Sequence, residues 1–119
     1  MYSAYEITDE SREELLERFP PKYIEVICHH ITVEFPGSVL PPVAESAHVV
    51  GYQDSEDGLE AFVAEINGST RRSDGRLYHI TFSLDRSKGK KPVHSNDLLA
   101  RHFTEIPPLK IEVRPALLD

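Results

Sequence analysis

Residues 22–35, KYIEVICHHITVEF, are the stretch of sequence that most strongly predicts the fold. The run is rich in β-branched and aromatic residues and stops at Pro36-Gly37, which is typical of a β-strand. Because side chains alternate between the two faces of a strand, we expect Cys28, His30 and Thr32 on one face. The neighbouring His29 would then point to the opposite, apolar face, which is expected to pack in a core and carries Ile27, Ile31, Val33 and Phe35.

The tripeptide His-Ile-Thr occurs a second time, at residues 79–81 within LYHITFSLD. There His79 and Thr81 share a predicted face with Ser83, opposite an apolar face. Six histidines in a chain of this Ser and Thr content predict about 0.8 His-x-Ser/Thr tripeptides by chance. Three are present, but the third, His102-Phe103-Thr104, falls at a predicted helix end, where residues two apart point in different directions. The two copies on strands are therefore the informative ones.

The remaining pattern predicts an α+β fold with antiparallel pairing. We expect helices at 8–19 and 95–103, and strands at 22–35, 46–54, 58–67, 76–84 and 109–117. Ser95 or Asn96 is the expected N-cap of the second helix. At 119 residues the chain is most simply one domain over residues 1–119.

Composition limits the class of protein. The net charge of −7 argues against nonspecific binding of nucleic acid over a broad surface. Charge is unevenly placed, since residues 68–94 contain seven basic and two acidic side chains, which suits a compact anion. No apolar run approaches the roughly 18 residues of a membrane span, and the acidic N-terminus does not resemble a signal peptide. The single cysteine, Cys28, excludes an internal disulfide and predicts a cytoplasmic protein. We also expect a monomer without a stable protein partner.

Two matched His and Thr pairs are suited to phosphodiester chemistry. Histidine, with a pKa near 6.5, exchanges protons near neutrality, so one imidazole can remove a proton from water while the other protonates a leaving oxygen. Two threonine hydroxyls can hold the two non-bridging oxygens of the phosphate. This chemistry requires no metal or cofactor. The alternative is that His30 and His79 are ordinary surface histidines on a half-buried sheet.

The segments HHITVEF and YHITFSLD resemble the paired motif of the two-histidine (2H) phosphoesterase superfamily, in which apolar residues flank each histidine and threonine. The small cyclic phosphodiesterase domain of fungal-type tRNA ligases is one similar member. The resemblance implies a compact, two-lobed α+β fold with helices outside and motif strands lining a central cleft. It implies hydrolysis of a nucleoside or RNA 3′-terminal 2′,3′-cyclic phosphate to a 2′-phosphate, with His30 as acid, His79 as base, and Thr32 and Thr81 as phosphate anchors.

Other side chains could also contact a substrate phosphate. Lys90, Lys91 and an arginine of STRR at residues 69–72, with Arg71 as the named candidate, lie in basic loops, while Ser95 and Asn96 could contact it from the start of a helix. A Cys28–His30 nucleophile and a zinc site are weaker alternatives, because the spacings fit neither. The alternative functions are a noncatalytic nucleotide- or RNA-end-binding domain on the same fold and a hydrolase of cyclic oligonucleotide messengers.

Overall fold

The computed structural model describes all of residues 1–119, which form eight strands, two α-helices and one 3-10 helix. The elements in chain order are β1 (Tyr2–Ile7), α1 (Asp9–Arg18), β2 (Glu25–Val26), β3 (His30–Glu34), β4 (Ala47–Asp54), β5 (Leu59–Ile66), β6 (His79–Leu84), the 3-10 helix Arg86–Lys88, α2 (His94–Arg101), β7 (Thr104–Lys110) and β8 (Val113–Leu118). The predicted α+β class is confirmed. Neither helix has the length and apolar character that crossing a membrane requires.

The strands form two antiparallel sheets that share one hydrophobic core. One sheet has the strand order β3-β1-β8 and the other the order β2-β6-β5-β4-β7. Ile31 of the smaller sheet and Leu15 of α1 belong to the same buried cluster as Phe62 and Phe82 of the larger sheet. The rings of Phe62 and Phe82 meet edge to face with centroids 4.9 Å apart, an arrangement that aromatic pairs favour.

Helix α1 forms where the sequence predicts it. The Thr8 side chain accepts a hydrogen bond from the Ser11 backbone N–H at 3.3 Å, which satisfies one of the unpaired donors of the first turn. Asp9 and Glu10 complement the positive end of the helix dipole. Leu15 is fully buried and fastens the helix to the core.

The predicted single strand over 22–35 is wrong, because the chain changes sheets at Cys28. β2 pairs with β6 and β3 pairs with β1. Backbone hydrogen bonds from Ile27 to Phe82 and from Cys28 to Thr81 continue the first pairing, and Cys28 then adopts a φ of 40°. This bend puts Cys28 in the core, whereas His29 is exposed, so the expected alternation of faces holds only from His30 onward.

Two further strands differ from the expectation. β1, which the sequence pattern did not predict, is the central strand of the smaller sheet. The predicted last strand at 109–117 is divided between β7 and β8. β7 contains Pro107 and Pro108, which a strand tolerates here because β7 lies at the edge of its sheet.

Helix α2 covers the face of β6 that carries His79 and Thr81. Leu99 packs with Ala61 and Val63 of β5, and all six residues of β6 are buried. The face expected to be solvated is therefore an interior wall. A register shift between Glu60 and Ala61 also interrupts the alternation along β6, and Ser83 hydrogen-bonds to Glu60 at 2.6 Å.

Candidate functional site

Both His-Ile-Thr segments line one cavity of about 340 Å³, which we call the histidine cavity. His30 and Thr32 reach it from β3 in the smaller sheet, and His79 and Thr81 reach it from β6 in the larger sheet. We call these two pairs the His30 half-site and the His79 half-site. The remaining wall includes Tyr2, Arg72, Arg76 and Asn96.

His79 has a fixed ring orientation. Its Nδ1 lies 3.1 Å from the Leu77 carbonyl oxygen, and the residue is only 8% exposed. Since a carbonyl oxygen only accepts, Nδ1 carries the proton of the neutral ring and Nε2 keeps a lone pair. Burial lowers the pKa of His79, and the nearby Arg72 and Arg76 lower this pKa further, although the Leu77 carbonyl opposes them.

The hydrogen-bond partners of His30 do not fix the position of its proton. Its Nε2 lies 3.2 Å from the Tyr2 hydroxyl, and its Nδ1 lies 3.0 Å from Nδ1 of the exposed His29. Each partner can donate or accept, so neither fixes the position of the proton. Burial, followed by the proximity of His29 and His79, lowers the pKa of His30 to about 4.

The two threonines differ in how they are held. Thr81 Oγ1 lies 2.8 Å from Ser95 Oγ and 3.3 Å from the Pro92 carbonyl oxygen. When Thr81 donates to Pro92, Ser95 must donate to Thr81. Ser95, a residue considered for substrate contact, is fully buried and does not line the cavity. Thr32 is half-buried and its hydroxyl has no hydrogen-bond partner in the chain.

Arg72 is a cavity residue that the sequence analysis did not single out. Its side chain is 3% exposed and donates to Asp74 at 2.8 Å, while its buried Nε has no hydrogen-bond partner. Arg71 lines a neighbouring cavity instead and donates to the Gly75 carbonyl at 2.8 Å. Adjacent residues in an extended segment point to opposite sides. Two adjacent arginines therefore indicate that one of them can line the cavity, but only the fold decides which arginine faces the histidines.

Of the remaining predicted site residues, the two lysines lie outside the histidine cavity and Asn96 lines it. Lys90 pairs with Asp57 at 3.0 Å, and the backbone N–H of Lys91 donates to His94. Neither lysine lines the histidine cavity. Asn96 does line it, and its Oδ1 is buried without a partner. The prediction that Ser95 or Asn96 caps α2 is wrong, because the helix begins at His94 and its N-cap is Val93, which makes no side-chain cap bond.

Two apolar side chains form part of the cavity rim. Phe35 is 68% exposed and Val93 is 61% exposed, and both line the histidine cavity. The Phe35 ring lies 5.5 Å from the Tyr2 ring. Exposed apolar groups beside a polar cavity are a surface on which a flat ligand can stack.

Cys28 offers no nucleophile. Its side chain lies in the core cluster and is fully buried. Burial raises the pKa of the Cys28 thiol to about 11, so the reactive thiolate is disfavoured at neutral pH. No group of three or more His, Cys, Asp or Glu side chains is arranged so that it could hold a metal ion.

Comparison of the chain with protein-family models, with curated proteins and with solved structures finds no match.

Proposed function

We propose that this protein is a metal-independent phosphodiesterase that opens a nucleoside or RNA-terminal 2′,3′-cyclic phosphate. The observation that carries the proposal is the convergence of two histidines and two threonines, from different sheets, on one cavity. The resemblance of both segments to the 2H phosphoesterase motif supports the same function.

The cavity offers the donors that a phosphate anion requires. The Thr32 hydroxyl is unengaged, and Thr81 can turn its proton toward the anion while it accepts from Ser95. Arg72 lines the cavity and adds a positive charge, and its buried Nε has no hydrogen-bond partner in the chain. Hydrogen bonds from charged groups in a buried site are stronger than neutral ones, which favours binding of an anion here.

The substrate itself completes the acid–base pair. Burial lowers the pKa of both histidines, which favours the neutral form of both rings at pH 7. A phosphodiester between them carries a negative charge, and a nearby opposite charge favours the protonated form of a histidine. One imidazole can then become the acid while the other remains a base.

The reaction proceeds by in-line attack of water on phosphorus. By the resemblance, His79 is the base, and its free Nε2 accepts a proton from the attacking water. A new phosphorus–oxygen bond forms as the bond to the 3′-oxygen breaks, and His30 gives its proton to that leaving oxygen. The products are a 2′-phosphate and a 3′-hydroxyl, and proton exchange with solvent restores both histidines.

The apolar rim supports a nucleoside rather than a bare phosphate. Phe35 and Val93 lie at the cavity where a base attached to the bound ribose could stack. Stacking of a base on an aromatic side chain tolerates any base sequence, because every base has a π face. The rim therefore suits a nucleotide end of unspecified sequence.

The test is turnover in EDTA of a cyclic mononucleotide and of an oligonucleotide ending in a 2′,3′-cyclic phosphate, followed by chromatography. We expect a 2′-phosphate product and a loss of about 10²- to 10⁴-fold in kcat for His79→Ala. His48→Ala, which removes a histidine outside the cavity, should keep the wild-type rate. No turnover of any cyclic phosphodiester, or full activity in His79→Ala, would overturn the proposal, and binding without product would indicate the noncatalytic alternative.

A further inference from the structure

A second cavity of about 380 Å³ adjoins the histidine cavity. Three residues, Arg76, His79 and Asn96, line both cavities. Its other walls come from the segment before β6 and from the end of α2. We call it the arginine cavity, because Arg71, Arg76 and Arg101 all line it.

The three guanidinium groups of the arginine cavity have no acidic partner. None of them forms a salt bridge, and no Asp or Glu lines the cavity. The Arg71 guanidinium donates only to the neutral Gly75 carbonyl. By contrast, Arg86 is paired with Glu25 and Lys90 with Asp57. In a chain of net charge −7, this leaves positive charge concentrated around one cavity.

The wall between the two cavities carries an unsatisfied acceptor. Asn96 Nδ2 donates to the Val93 carbonyl at 3.2 Å, but Asn96 Oδ1 is buried without a partner. Buried polar atoms are paired in most proteins, and an unpaired one requires an explanation. Asn96 itself lines both cavities, so a rotation of its side chain would bring this acceptor to a ligand hydroxyl.

We propose that the arginine cavity binds a second phosphate group of the same substrate whose cyclic phosphate occupies the histidine cavity. The substrate is then a nucleoside cyclic phosphate that carries a further phosphate, either a 5′-phosphate monoester or the internucleotide diester of an RNA end. The inference rests on the proposed function for the identity of the first phosphate. The inference goes further than the proposed function, because it predicts that a nucleoside 2′,3′-cyclic phosphate without a second phosphate is not the preferred substrate.

The shared wall is what joins the two phosphates in one ligand. His79 lines both the histidine cavity and the arginine cavity, so a ligand bound at His79 lies beside the cavity that Arg101 lines. Arginine binds phosphate oxygens through two parallel N–H donors, which makes three unpaired arginines a strong phosphate site. Leu77, Leu99 and Phe103 supply an apolar floor beside them.

The experiment compares equilibrium binding of product analogues by calorimetry. The ligands are adenosine 2′-phosphate, adenosine 2′,5′-bisphosphate and an adenosine dinucleotide ending in a 2′-phosphate. We expect the two ligands with a second phosphate to bind about tenfold more tightly than the monophosphate, with a gain that shrinks at high salt. The ligand that gains more identifies the source of the second phosphate.

The matched variants are Arg101→Ala and Arg18→Ala. Each removes an exposed arginine from the last turn of a helix, but only Arg101 lines the arginine cavity. Arg101→Ala should abolish the tenfold gain and leave binding of the monophosphate unchanged, whereas Arg18→Ala should preserve the gain. Equal binding of all three ligands by the wild-type protein would overturn the inference, as would an equal loss for all three in Arg101→Ala.

This measurement separates the inference from the proposed function. Binding of product analogues requires no turnover, so a protein without hydrolase activity still gives a result. Turnover of cyclic phosphates with no preference for a second phosphate would refute the inference alone. Preferential binding without turnover would refute the proposed hydrolysis alone.

Discussion

The two half-sites carry the same tripeptide in different surroundings. The His79 half-site lies on an inner strand of the five-stranded sheet, beneath α2, and every residue of that strand is buried. The His30 half-site lies on an edge strand of the three-stranded sheet and is half-buried. A main-chain carbonyl holds His79, whereas Tyr2 and the exposed His29 hold His30.

The difference suggests a division between a fixed half-site and an adjustable one. In the His79 half-site, Leu77 holds the ring through a partly buried contact, and Ser95 holds Thr81 through a buried one. In the His30 half-site, His30 depends on groups that can donate or accept, and the Thr32 hydroxyl has no partner. Under the proposed function, the fixed half-site would set the position of the phosphate and the other would adapt to it.

The largest expected contrast is between Thr81→Val and Thr32→Val. Removal of the Thr81 hydroxyl leaves the buried Ser95 hydroxyl without its partner, which should lower the free energy of unfolding by about 1–3 kcal/mol. Thr32→Val should leave stability within about 0.5 kcal/mol of the wild type. We expect each variant to lose at least about tenfold in kcat/KM, since each removes a hydroxyl that is proposed to donate to the phosphate.

Denaturant unfolding and steady-state kinetics measure these two effects, and Thr81→Ser, which restores the hydroxyl, should recover both. Equal stability losses in the two valine variants would contradict the distinction between a fixed and an adjustable half-site.

An intermediate effect is expected in the pH dependence of stability. His30 has a folded-state pKa of about 4, against an ordinary value of 6.5, so between these values the unfolded chain binds more protons. The contribution of neutral His30 to the free energy of unfolding is complete above about pH 6.5 and is lost as the pH falls toward 4. The loss from this group is on the order of 2 kcal/mol. The lowered pKa of His79 acts in the same direction.

Denaturant unfolding between about pH 4.5 and pH 7 measures this loss, and the carboxylates that titrate at the lower end of this range are common to the wild type and to a variant that lacks the two histidines. The double variant His30→Asn/His79→Asn should show a flatter dependence than the wild type. An unchanged slope in the double variant would show that neither histidine is kept neutral by its surroundings.

The smallest expected effect concerns the rim beside the His30 half-site. Phe35→Ala removes an aromatic platform, so KM should rise roughly five- to tenfold while kcat changes little. Val39→Ala is the matched control, because Val39 is 78% exposed in the following loop but does not line the cavity. Steady-state kinetics on a cyclic mononucleotide decides the matter, and a fall in kcat with unchanged KM would assign Phe35 a role in the chemistry instead.

Local sequence patterns predicted much of the fold, and long-range contacts account for the rest. Helix α1 has a cap, a charge gradient and a buried leucine within one segment, so its position could be predicted. The bend at Cys28 has no local signal, because cysteine does not favour a positive φ. It is held by tertiary contacts such as the 3.1 Å hydrogen bond from Arg12 Nε to the Cys28 carbonyl.

The candidate site shows the same limit. Strand alternation correctly predicted that His30 and Thr32 share one face of a strand, and that His79 and Thr81 do the same. Each pair lies within one short strand, so a local pattern is sufficient. It could not choose between Arg71 and Arg72, since that choice depends on how the segment before β6 sits against the cavity. Nor could it show that Lys90 is paired with Asp57, which lies 33 residues earlier in the chain.

The change of sheets at Cys28 sets the spacing of the two half-sites over a very short path. Cys28 donates its backbone N–H to the Thr81 carbonyl, and His30 follows two residues later. The two imidazoles are therefore connected through one hydrogen bond with two residues on either side of it, rather than only through the 49 positions that separate them in sequence. Changes of length in the loops at 35–46 and 67–78 would leave this short connection in place, so we expect them to change the distance between the histidines little.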